Sequence, residues 1–450
     1  MLDTVEKPNA REDPLPPSAE LQRRYRFATA FAEVGGVIDQ VIEGQVQAYE
    51  PGIHLYFSKR LNIRLCYPGI GYLGDALSGS GTDFSREFAW MRALAEGLER
   101  YASALLLDDE TITATANQLG ENAMDVSCLP AASKREREAR DPRVVEPLSP
   151  DRPIRWVRGY SLIDRCERLV PAGLSHLTSE LGNYTIPIST GIAAHTDLRT
   201  AIVSAINEVI ERDSIALTWL ARLSIPRIDI SACQSIELRR MIGHVEQSGA
   251  VPMFFDATTN IGVPTVYCVT LIDGHPTLSQ SVSCATGFDI EALCEKAVRE
   301  SVACRAGLAN GNQDLPEDLG LYDAIHHGAL HMGRSELRHA FSFLLDQDST
   351  VSLETLRSNH LPRDPAVQLS FILQALRALN TDVCIVDLTT DDLRECGLWV
   401  VRAIIPKLMP LSFVHACRFL GTPRLFEYPE KAGFGRLVES EINPFPQPFA

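Results

Sequence analysis

The sequence contains the short pattern Glu-x-x-Glu-Arg twice, each time inside a segment with helical periodicity. The second copy, Glu208 to Arg212, lies in residues 198–220, where small and aliphatic side chains recur at helical spacing. The first copy, Glu96 to Arg100, lies 112 positions earlier, within residues 84–107. Residues three apart share one face of a helix, so the two glutamates of each copy point the same way. The chain must therefore build at least two helices with paired carboxylates.

The approach to both helices is also alike. A run of small residues, predicted to form a turn, is followed by Thr-Asp, and the second helix should begin at an N-cap on Thr196 or Asp197. A weaker third copy opens at Asp289 and carries Glu300 and Arg305. The spacing is irregular and far longer than a solenoid repeat, which predicts a pseudo-repeat inside one catalytic domain.

Four carboxylates from two helices suit a hard divalent cation, most simply Mg²⁺, which prefers oxygen ligands and keeps waters and phosphates. Arginines and the free amides at helix starts would meet phosphate oxygens, so the pattern predicts an ATP site. Taken singly, such a face is more often a solvated helix surface with weak ion pairs. Its repetition on two helices rich in Ala and Leu favours metal and phosphate binding.

Composition excludes several classes of protein. The chain has 450 residues, a net charge of −16 and no basic stripe, which argues against nucleic-acid binding. No apolar run is long enough to span a bilayer and the polar, proline-rich start lacks a signal core, so we expect a soluble cytoplasmic protein without a membrane partner. Eleven cysteines without a Cys-x-x-Cys pair argue against structural zinc and a disulfide framework.

Strand-like and helix-like segments alternate along the chain, which predicts an α+β fold with mixed α/β layers, its sheets flanked by helices. We expect a disordered lead over residues 1–17, a β-rich part of the core over 18–75, a catalytic core over 76–425 and a tail over 426–450. The glycine-rich run at 69–81 fits neither a Walker loop nor a dinucleotide fingerprint. The alternating prolines of the tail favour an extended segment, whereas an isolated terminus is more often unstructured.

Taken together, these segments resemble the YcaO family, and most closely its ATP-dependent cyclodehydratases that make azole-containing peptides. The resemblance covers roughly residues 50–450 and is carried by the two Glu-x-x-Glu-Arg blocks at 79–101 and 189–222, the segments 287–305 and 397–406, and Pro-x-Pro-x-Pro at 444–448. It implies a YcaO-like fold with ATP in a central cleft. The family's cofactors, ATP and Mg²⁺, agree with the chemistry inferred from the paired glutamates.

The resemblance also implies roles for individual residues. Magnesium would be held by four glutamates: Glu96, Glu99, Glu208 and Glu211. The nucleotide would be held by Ser80 and Gly81 on a turn near the phosphates, by Arg212 at a phosphate, and by Glu300 and Arg305. Catalysis would involve the proline tail and the terminal carboxylate, at Pro444, Pro446, Pro448 and Ala450.

This sequence departs from the family pattern in three places. Many relatives have lysine where Ser80 stands and glutamine where Ala303 stands. Relatives also commonly end at the last proline, whereas Phe449 and Ala450 follow it here. The position of the terminal carboxylate is therefore in question.

The implied reaction begins when a Cys, Ser or Thr side chain of a ribosomal precursor peptide attacks the preceding backbone carbonyl. ATP then phosphorylates the resulting oxygen, and loss of phosphate leaves a thiazoline or oxazoline. An E1-like or RRE-type partner protein would present the leader peptide, and a flavin-dependent dehydrogenase would oxidise azolines. Two alternatives stay open, namely thioamide or amidine synthesis on a peptide backbone, and a non-catalytic scaffold.

Overall fold

The computed structural model describes residues 17–32, 35–45, 53–61, 78–107, 110–177, 184–311, 314–357 and 361–449. Its strands are β1 (Ile38–Glu43), β2 (His54–Leu61), β3 (Gly79–Asp83), β4 (Thr111–Ala114), β5 (Ile154–Ser161), β6 (Cys166–Pro171), β7 (Ile192–His195), β8 (Arg227–Asp229), β9 (Ala250–Asp256), β10 (Thr265–Ile272), β11 (Gln280–Thr286), β12 (Thr350–Ser352), β13 (Cys384–Asp387) and β14 (Trp399–Ile404). The longer helices are α1 (Arg86–Ala104), α2 (Leu198–Leu220), α3 (Ile236–Gln247), α4 (Ile290–Asn310), α5 (Ile325–Met332), α6 (Pro365–Ala378) and α7 (Pro423–Lys431). Short helices span Ala19–Arg24, Ala116–Leu119, Lys134–Glu138, Ala172–Ser175, Ser342–Leu345, Leu353–Arg357 and Asp391–Glu395, and 3₁₀ turns span Arg26–Ala30, Gly120–Asn122, Val126–Cys128, Leu319–Leu321, Ser335–Phe341 and Glu439–Glu441.

The strands form three sheets. The first has the order β1-β2-β3, the second β4-β5-β13-β14-β7 with β6 also paired to β5, and the third β11-β10-β9-β8-β12. Neighbouring strands are antiparallel except for β8 and β12, which pair in parallel. Helices pack against all three sheets, so the predicted α+β fold of mixed layers is confirmed.

The helix α2 lies between two of these sheets. It contacts β7 and β14 of the six-stranded sheet and β10 and β11 of the five-stranded sheet. From Ile215 to Leu220 every residue is buried, as expected for a helix that is covered on all sides. Glu211 and Asp213 are buried as well, and Glu208 is only partly exposed. The glutamate pair of α2 is therefore not on a fully solvated helix surface, which was the alternative for a single copy.

All three predicted copies begin as a strand that leads into a helix: β3 into α1, β7 into α2 and β11 into α4. The helices are N-capped by Ser85, Asp197 and Asp289, whose side-chain oxygens accept first-turn backbone N–H groups. The expected turn before α1 was wrong, because Ser80 and Gly81 belong to strand β3. A Cβ on Gly81 would fall 2.2 Å from the carbonyl oxygen of Ala89, so glycine there allows β3 to lie directly on α1.

The C-terminal residues pack against the body of the protein. Asn443 is buried and donates from its backbone N–H to the carbonyl oxygen of Leu220, over 2.9 Å. Phe449 is also buried, with its ring 5.4 Å from that of Tyr267 in a T-shaped contact. The tail is therefore a docked part of this fold from residue 443 to residue 449.

Some expectations fall outside the described residues. These are the lead over residues 1–16, the glycine-rich run at 69–77 and the terminal residue Ala450. The domain boundaries proposed from the sequence stay a prediction. No helix in the described part of the chain is both long enough and apolar enough to cross a membrane.

Candidate functional site

The three strand-to-helix units share one register. The first glutamate lies 11 residues after the N-cap in each unit, from Ser85 to Glu96 (96 − 85), from Asp197 to Glu208 (208 − 197), and from Asp289 to Glu300 (300 − 289). Eleven residues are about three turns of helix, so each carboxylate projects from an equivalent place. The weaker third copy is thus structurally in phase with the other two.

In the first two units, this glutamate binds its own approach segment. Glu96 Oε2 accepts hydrogen bonds from the backbone N–H of Ser80, over 2.8 Å, and from its hydroxyl, over 3.0 Å. Glu208 Oε2 accepts one from the backbone N–H of Gly191, over 3.0 Å. The other oxygen of each carboxylate meets the arginine one turn later, Arg100 at 3.0 Å and Arg212 at 3.2 Å. The Glu-x-x-Glu-Arg spacing therefore forms i,i+4 pairs beside each strand.

The second glutamate of each pair reaches the next unit. Glu99 of α1 accepts a hydrogen bond from the backbone N–H of Ala194 in β7, over 3.2 Å. Glu211 of α2 accepts one from the backbone N–H of Thr286 in β11, over 3.0 Å. The structure therefore brings all four predicted glutamates into one continuous cluster that links the three units.

The third unit adds a cation that the sequence prediction missed. Lys296 of α4 lies 3.6 Å from Glu211 Oε2 and 3.4 Å from Glu300 Oε1. The motif Glu-x-x-Glu-Arg contains no lysine and so gave no signal at this position. The i,i+4 spacing of Lys296 and Glu300 was a usable signal.

The cluster combines deep burial with access to solvent. Burial, together with the charges of Glu208 and Glu96, raises the pKa of Glu99 well above its usual value despite the opposing effect of Arg100. Burial raises the pKa of Glu211 to about 6, although Lys296 and Arg212 oppose the shift. Yet 25% of the side-chain surface of Glu208 is exposed to solvent. Carboxylates that are surrounded by protein but still reachable line a cleft.

The cations of the site stay charged. Burial alone would lower the pKa of Arg212, but the carboxylates of Glu211, Glu208 and Glu300 raise it above the usual arginine value. The pKa of Lys296 is also raised, chiefly by Glu211 and Glu300. The cleft thus holds carboxylates and permanent cations together, which suits a metal ion bound to an anionic phosphate chain.

The carboxylates of the cluster suit Mg²⁺ better as partial ligands than as a complete cage. Within the described ranges, no three His, Cys, Asp or Glu side chains close around a single point. Mg²⁺ does not need such a cage, because it is usually held by one or two carboxylates with waters and phosphate oxygens completing its octahedron. Glu99 and Glu208, from different helices, influence each other electrostatically, as do Glu208 and Glu211. The residues therefore fit magnesium that is bound jointly with a nucleotide.

A second residue missed from the sequence is Arg402 on β14. It is 8% exposed, and its Nε and Nη1 have no hydrogen-bond partner among the residues that the structure describes. Burial, together with the charge of Arg100, lowers its pKa to about 10, although the carboxylates of Glu208 and Glu99 oppose the shift. Its guanidinium therefore lies at the same carboxylate cluster. A lone arginine in an apolar strand carries no periodic signal, and only the pairing of β14 with β7 brings it here.

Glu300 and Arg305, both predicted to lie at the nucleotide, lie on different faces of α4. Glu300 faces the cluster through Lys296, as described above. Arg305 is buried and donates to Ser301 Oγ over 2.8 Å, and its charge acts on Cys268 of β10. Five residues rotate a helix by about 140° relative to Glu300, so Arg305 belongs to another face of α4. Its role at the nucleotide stays a prediction.

The proline motif lies along the C-terminal end of α2 and beside α5. Pro446 and Pro448 are buried, whereas Pro444 is exposed. The carbonyl oxygen of Gln447 packs onto Gly328 of α5, where a Cβ would fall 1.9 Å from that oxygen. The catalytic roles predicted for the three prolines are not tested by this geometry.

A layered α+β fold with carboxylates and cations gathered between three helices defines a magnesium- and phosphate-binding class of protein. Residues 80–409 match the family model described as YcaO cyclodehydratase, ATP- and Mg²⁺-binding. The match spans most of the chain, which therefore belongs to the YcaO family. ATP and Mg²⁺ are its cofactors, as the sequence predicted.

Solved structures share this fold at low sequence identity. A heterocyclase in complex with substrate and cofactor is 20% identical, with a TM-score of 0.78 over 96% of this chain and 57% of its own. YcaO from Methanopyrus kandleri, bound with AMPPCP and Mg²⁺, is 16% identical, with a TM-score of 0.60 over 86% of this chain and 89% of its own. A chain of the E. coli microcin synthetase McbBCD complex is 14% identical, with a TM-score of 0.63 over 93% of this chain and 99% of its own. No curated protein matches the chain significantly.

Proposed function

We propose that this protein is an ATP-dependent cyclodehydratase that forms thiazolines or oxazolines in a ribosomally made precursor peptide. A Cys, Ser or Thr side chain adds to the preceding carbonyl and gives a hemiorthoamide. Its oxygen takes the γ-phosphoryl group from ATP, and ADP leaves. Loss of the proton on nitrogen and of phosphate then forms the C=N bond of the ring, so one water is lost from the peptide for each ATP used.

The observation that carries this proposal is the linked cluster of carboxylates and cations across α1, α2 and α4. Phosphoryl transfer needs charge neutralisation and alignment more than it needs a protein nucleophile. Glu96, Glu99, Glu208 and Glu211 would hold magnesium at the phosphates. Arg212 and Lys296 would stabilise the charge that develops on the phosphoryl oxygens.

Arg402 would act on the peptide. Among the described residues its Nε and Nη1 have no partner, and its charge interacts with Glu99 and Glu208, at which the phosphoryl group would be transferred. A buried guanidinium stabilises an oxygen that gains negative charge, and the attacked carbonyl oxygen is such an atom. We therefore assign Arg402 to that oxygen. His176, close to Arg402, would be neutral, because burial lowers its pKa to about 4.

Partner proteins are part of the proposal. The related fold in the McbBCD complex also occurs with pro-MccB17 bound, so a relative of this fold works in an assembly with a peptide. For this chain we propose an E1-like or RRE-type protein that presents the leader peptide, and a flavin-dependent dehydrogenase that acts after it. The chain spans just over half the length of the heterocyclase, so its substrates and partners need direct tests.

The test is phosphate release from Mg-ATP with the purified chain, a precursor peptide and its presenting partner, while mass spectrometry follows the peptide. We expect peptide-dependent release and the loss of one water per modified residue. Exchange of oxygen for sulfur in the peptide would instead indicate thioamide synthesis, and loss of water with a peptide lacking Cys, Ser and Thr would indicate an amidine. No release with any peptide, from a folded protein with a working partner, would favour the scaffold.

A further inference from the structure

A mainly apolar cavity opens beside Arg402. It offers about 110 Å³ of space to the centres of water molecules. One water needs only roughly 10–15 Å³ by this measure, so the cavity can take an aliphatic or aromatic side chain. Its walls include Leu129, Leu174, Val209, Ile404 and Phe419. These residues come from separate parts of the chain, and Val209 is the neighbour of Glu208 on α2.

The cavity has a charged end. Arg402 is part of its lining and is buried, and no described residue offers a hydrogen-bond partner to its Nε or Nη1. Within the described residues, no carboxylate lies close enough to form a salt bridge with it. An unpaired charge is unfavourable in such surroundings unless a ligand supplies the missing oxygen. The occupant therefore combines an apolar group with an oxygen acceptor.

A peptide backbone meets both requirements at once. In the cyclisation proposed above, the attacked carbonyl belongs to the residue before the modified Cys, Ser or Thr. The side chain of that residue begins at the Cα, about 1.5 Å from the carbonyl carbon. If the carbonyl oxygen binds Arg402, this side chain is within reach of the walls of the cavity.

We propose that this cavity is the specificity pocket for the residue that precedes the cyclised residue, and that it selects an apolar side chain there. The inference rests on the proposed cyclodehydratase function and names the class of peptide that the site accepts. Apolar walls favour a side chain such as Val, Leu or Phe over Gly, because each buries apolar surface that Gly lacks. Adenine is a poorer occupant, because the walls place few polar groups opposite its nitrogens.

The test uses peptides with a single Cys preceded by Gly, Leu, Phe or Asp, and a second set in which the same residues follow the Cys. The wild-type protein should prefer Leu over Gly before the Cys by at least about tenfold in kcat/KM, the discrimination expected of an apolar pocket. Leu129→Trp, which fills the cavity, should remove this preference, so that the ratio of kcat/KM between the Leu and Gly peptides falls to about one. Leu129→Ala, which enlarges it, should shift preference toward Phe.

The matched control is Leu369→Trp, since Leu369 is also partly buried but lies on α6 outside the cavity lining. Circular dichroism and thermal unfolding confirm that each variant is folded. Equal rates for Leu and Gly, or a preference that follows the residue after the Cys, overturn the proposal. A rise in the KM for ATP in Leu129→Trp with the peptide preference retained would assign the cavity to the nucleotide.

A second measurement separates this proposal from the reaction itself. Binding of fluorescein-labelled versions of the same peptides is followed by anisotropy without ATP. If the Leu peptide binds more tightly than the Gly peptide, and Leu129→Trp loses this difference, the pocket is supported. This holds even if no peptide loses water, and that result would refute only the cyclodehydratase. Water loss at equal rates from all peptides refutes only the pocket, and absence of both binding preference and water loss refutes both.

Discussion

The carboxylate of Glu211 on α2 accepts a hydrogen bond from the backbone N–H of Thr286 at the end of β11, over 3.0 Å. The first glutamate of this pair, Glu208, binds its own approach segment, so the two neighbours connect different units of the fold. A carboxylate held in this way is positioned before any metal arrives. Positioning by several elements at once is what a phosphoryl-transfer site requires.

The first prediction concerns this residue. Glu211→Gln keeps an oxygen that can accept the N–H of Thr286 but removes the negative charge, so the fold should persist while magnesium binding is lost. We expect peptide-dependent phosphate release to fall by at least about 100-fold, the upper end of what the loss of a supporting partner costs at a metal site. Thermal unfolding with and without Mg-ATP should show that the stabilisation by the nucleotide is lost.

Glu138→Gln is the matched control, since Glu138 forms an exposed i,i+4 pair with Lys134 far from the cleft residues in sequence. It should behave as the wild type in both measurements. Wild-type turnover by Glu211→Gln would contradict the metal assignment.

The second prediction is a pH dependence. Because burial raises the pKa of Glu211 to about 6 from 4.5, the free folded protein binds this proton more tightly than the unfolded chain. The contribution of this carboxyl to the free energy of unfolding is therefore full below pH 4.5, its pKa in the unfolded chain. It is lost as the pH rises through about 6, its pKa in the folded protein. Mg²⁺ needs the charged carboxylate, so stabilisation by Mg-ATP should be larger at about pH 7.5 than at about pH 5.

The difference in unfolding temperature with and without Mg-ATP measures this effect. Without nucleotide, Glu211→Gln should lose the part of the pH dependence of the unfolding temperature that belongs to this carboxyl, which separates its titration from that of ATP. An equal gain at both pH values in the wild type would refute the coupling.

The third prediction concerns the Asp that follows the motif. Asp213 is fully buried and binds Arg424 of α7 through two close contacts, 2.7 Å from Nε and 2.6 Å from Nη2. It also accepts the backbone N–H of Met409, over 2.8 Å. Arg424→Met would strand a buried carboxylate, and we expect a loss of roughly 3–5 kcal/mol in the free energy of unfolding.

Denaturant unfolding measures that loss. Lys431→Met on the same helix is the control, because its pair with Glu427 is exposed and should contribute no more than about 1 kcal/mol. Asp213→Asn added to Arg424→Met should restore part of the stability. A single Arg424→Met variant as stable as the wild type would mean that the pair does not hold α7 to α2.

The sequence predicted the parts of the site that local periodicity controls. Glu96, Glu99, Glu208 and Glu211 repeat at helical spacing, so their helices, their shared faces and their joint chemistry could be inferred. The N-cap of Asp197 was also predictable, because a capping side chain acts within one turn.

The sequence did not reveal what long-range packing decides. Glycines before α1 suggested a turn, but Gly79 and Gly81 are glycine because β3 lies directly on the backbone of α1, where a Cβ at Gly79 would fall 2.3 Å from the backbone nitrogen of Gly97. Arg402 reaches the carboxylates only through the pairing of β14 with β7. Such contacts depend on how distant segments come together, and no spacing within a segment encodes them.

The last prediction concerns the docked tail, which a single substitution on α5 should displace. Gly328 of α5 lies against the carbonyl oxygen of Gln447, where a Cβ would be only 1.9 Å away. Gly328→Ala should therefore displace the segment from Pro446 to Phe449 while leaving the carboxylate cluster intact. If the tail takes part in cyclisation, peptide-dependent turnover should fall by at least about tenfold, because small misplacements of positioned groups are costly in rate. Stabilisation by Mg-ATP should be retained.

Gly243→Ala on α3 is the matched control, because a Cβ there meets no atom within 4 Å. Alanine is the better helix former, so this variant should be as stable as the wild type or slightly more stable, and equally active. Deletion of residues 444–450 should reproduce the effect of Gly328→Ala on turnover, with a further loss of stability because Tyr267 loses its contact with Phe449. Full turnover by both tail variants would mean that the proline motif only packs against the protein, and a loss of nucleotide binding in Gly328→Ala would mean that α5 supports the ATP site itself.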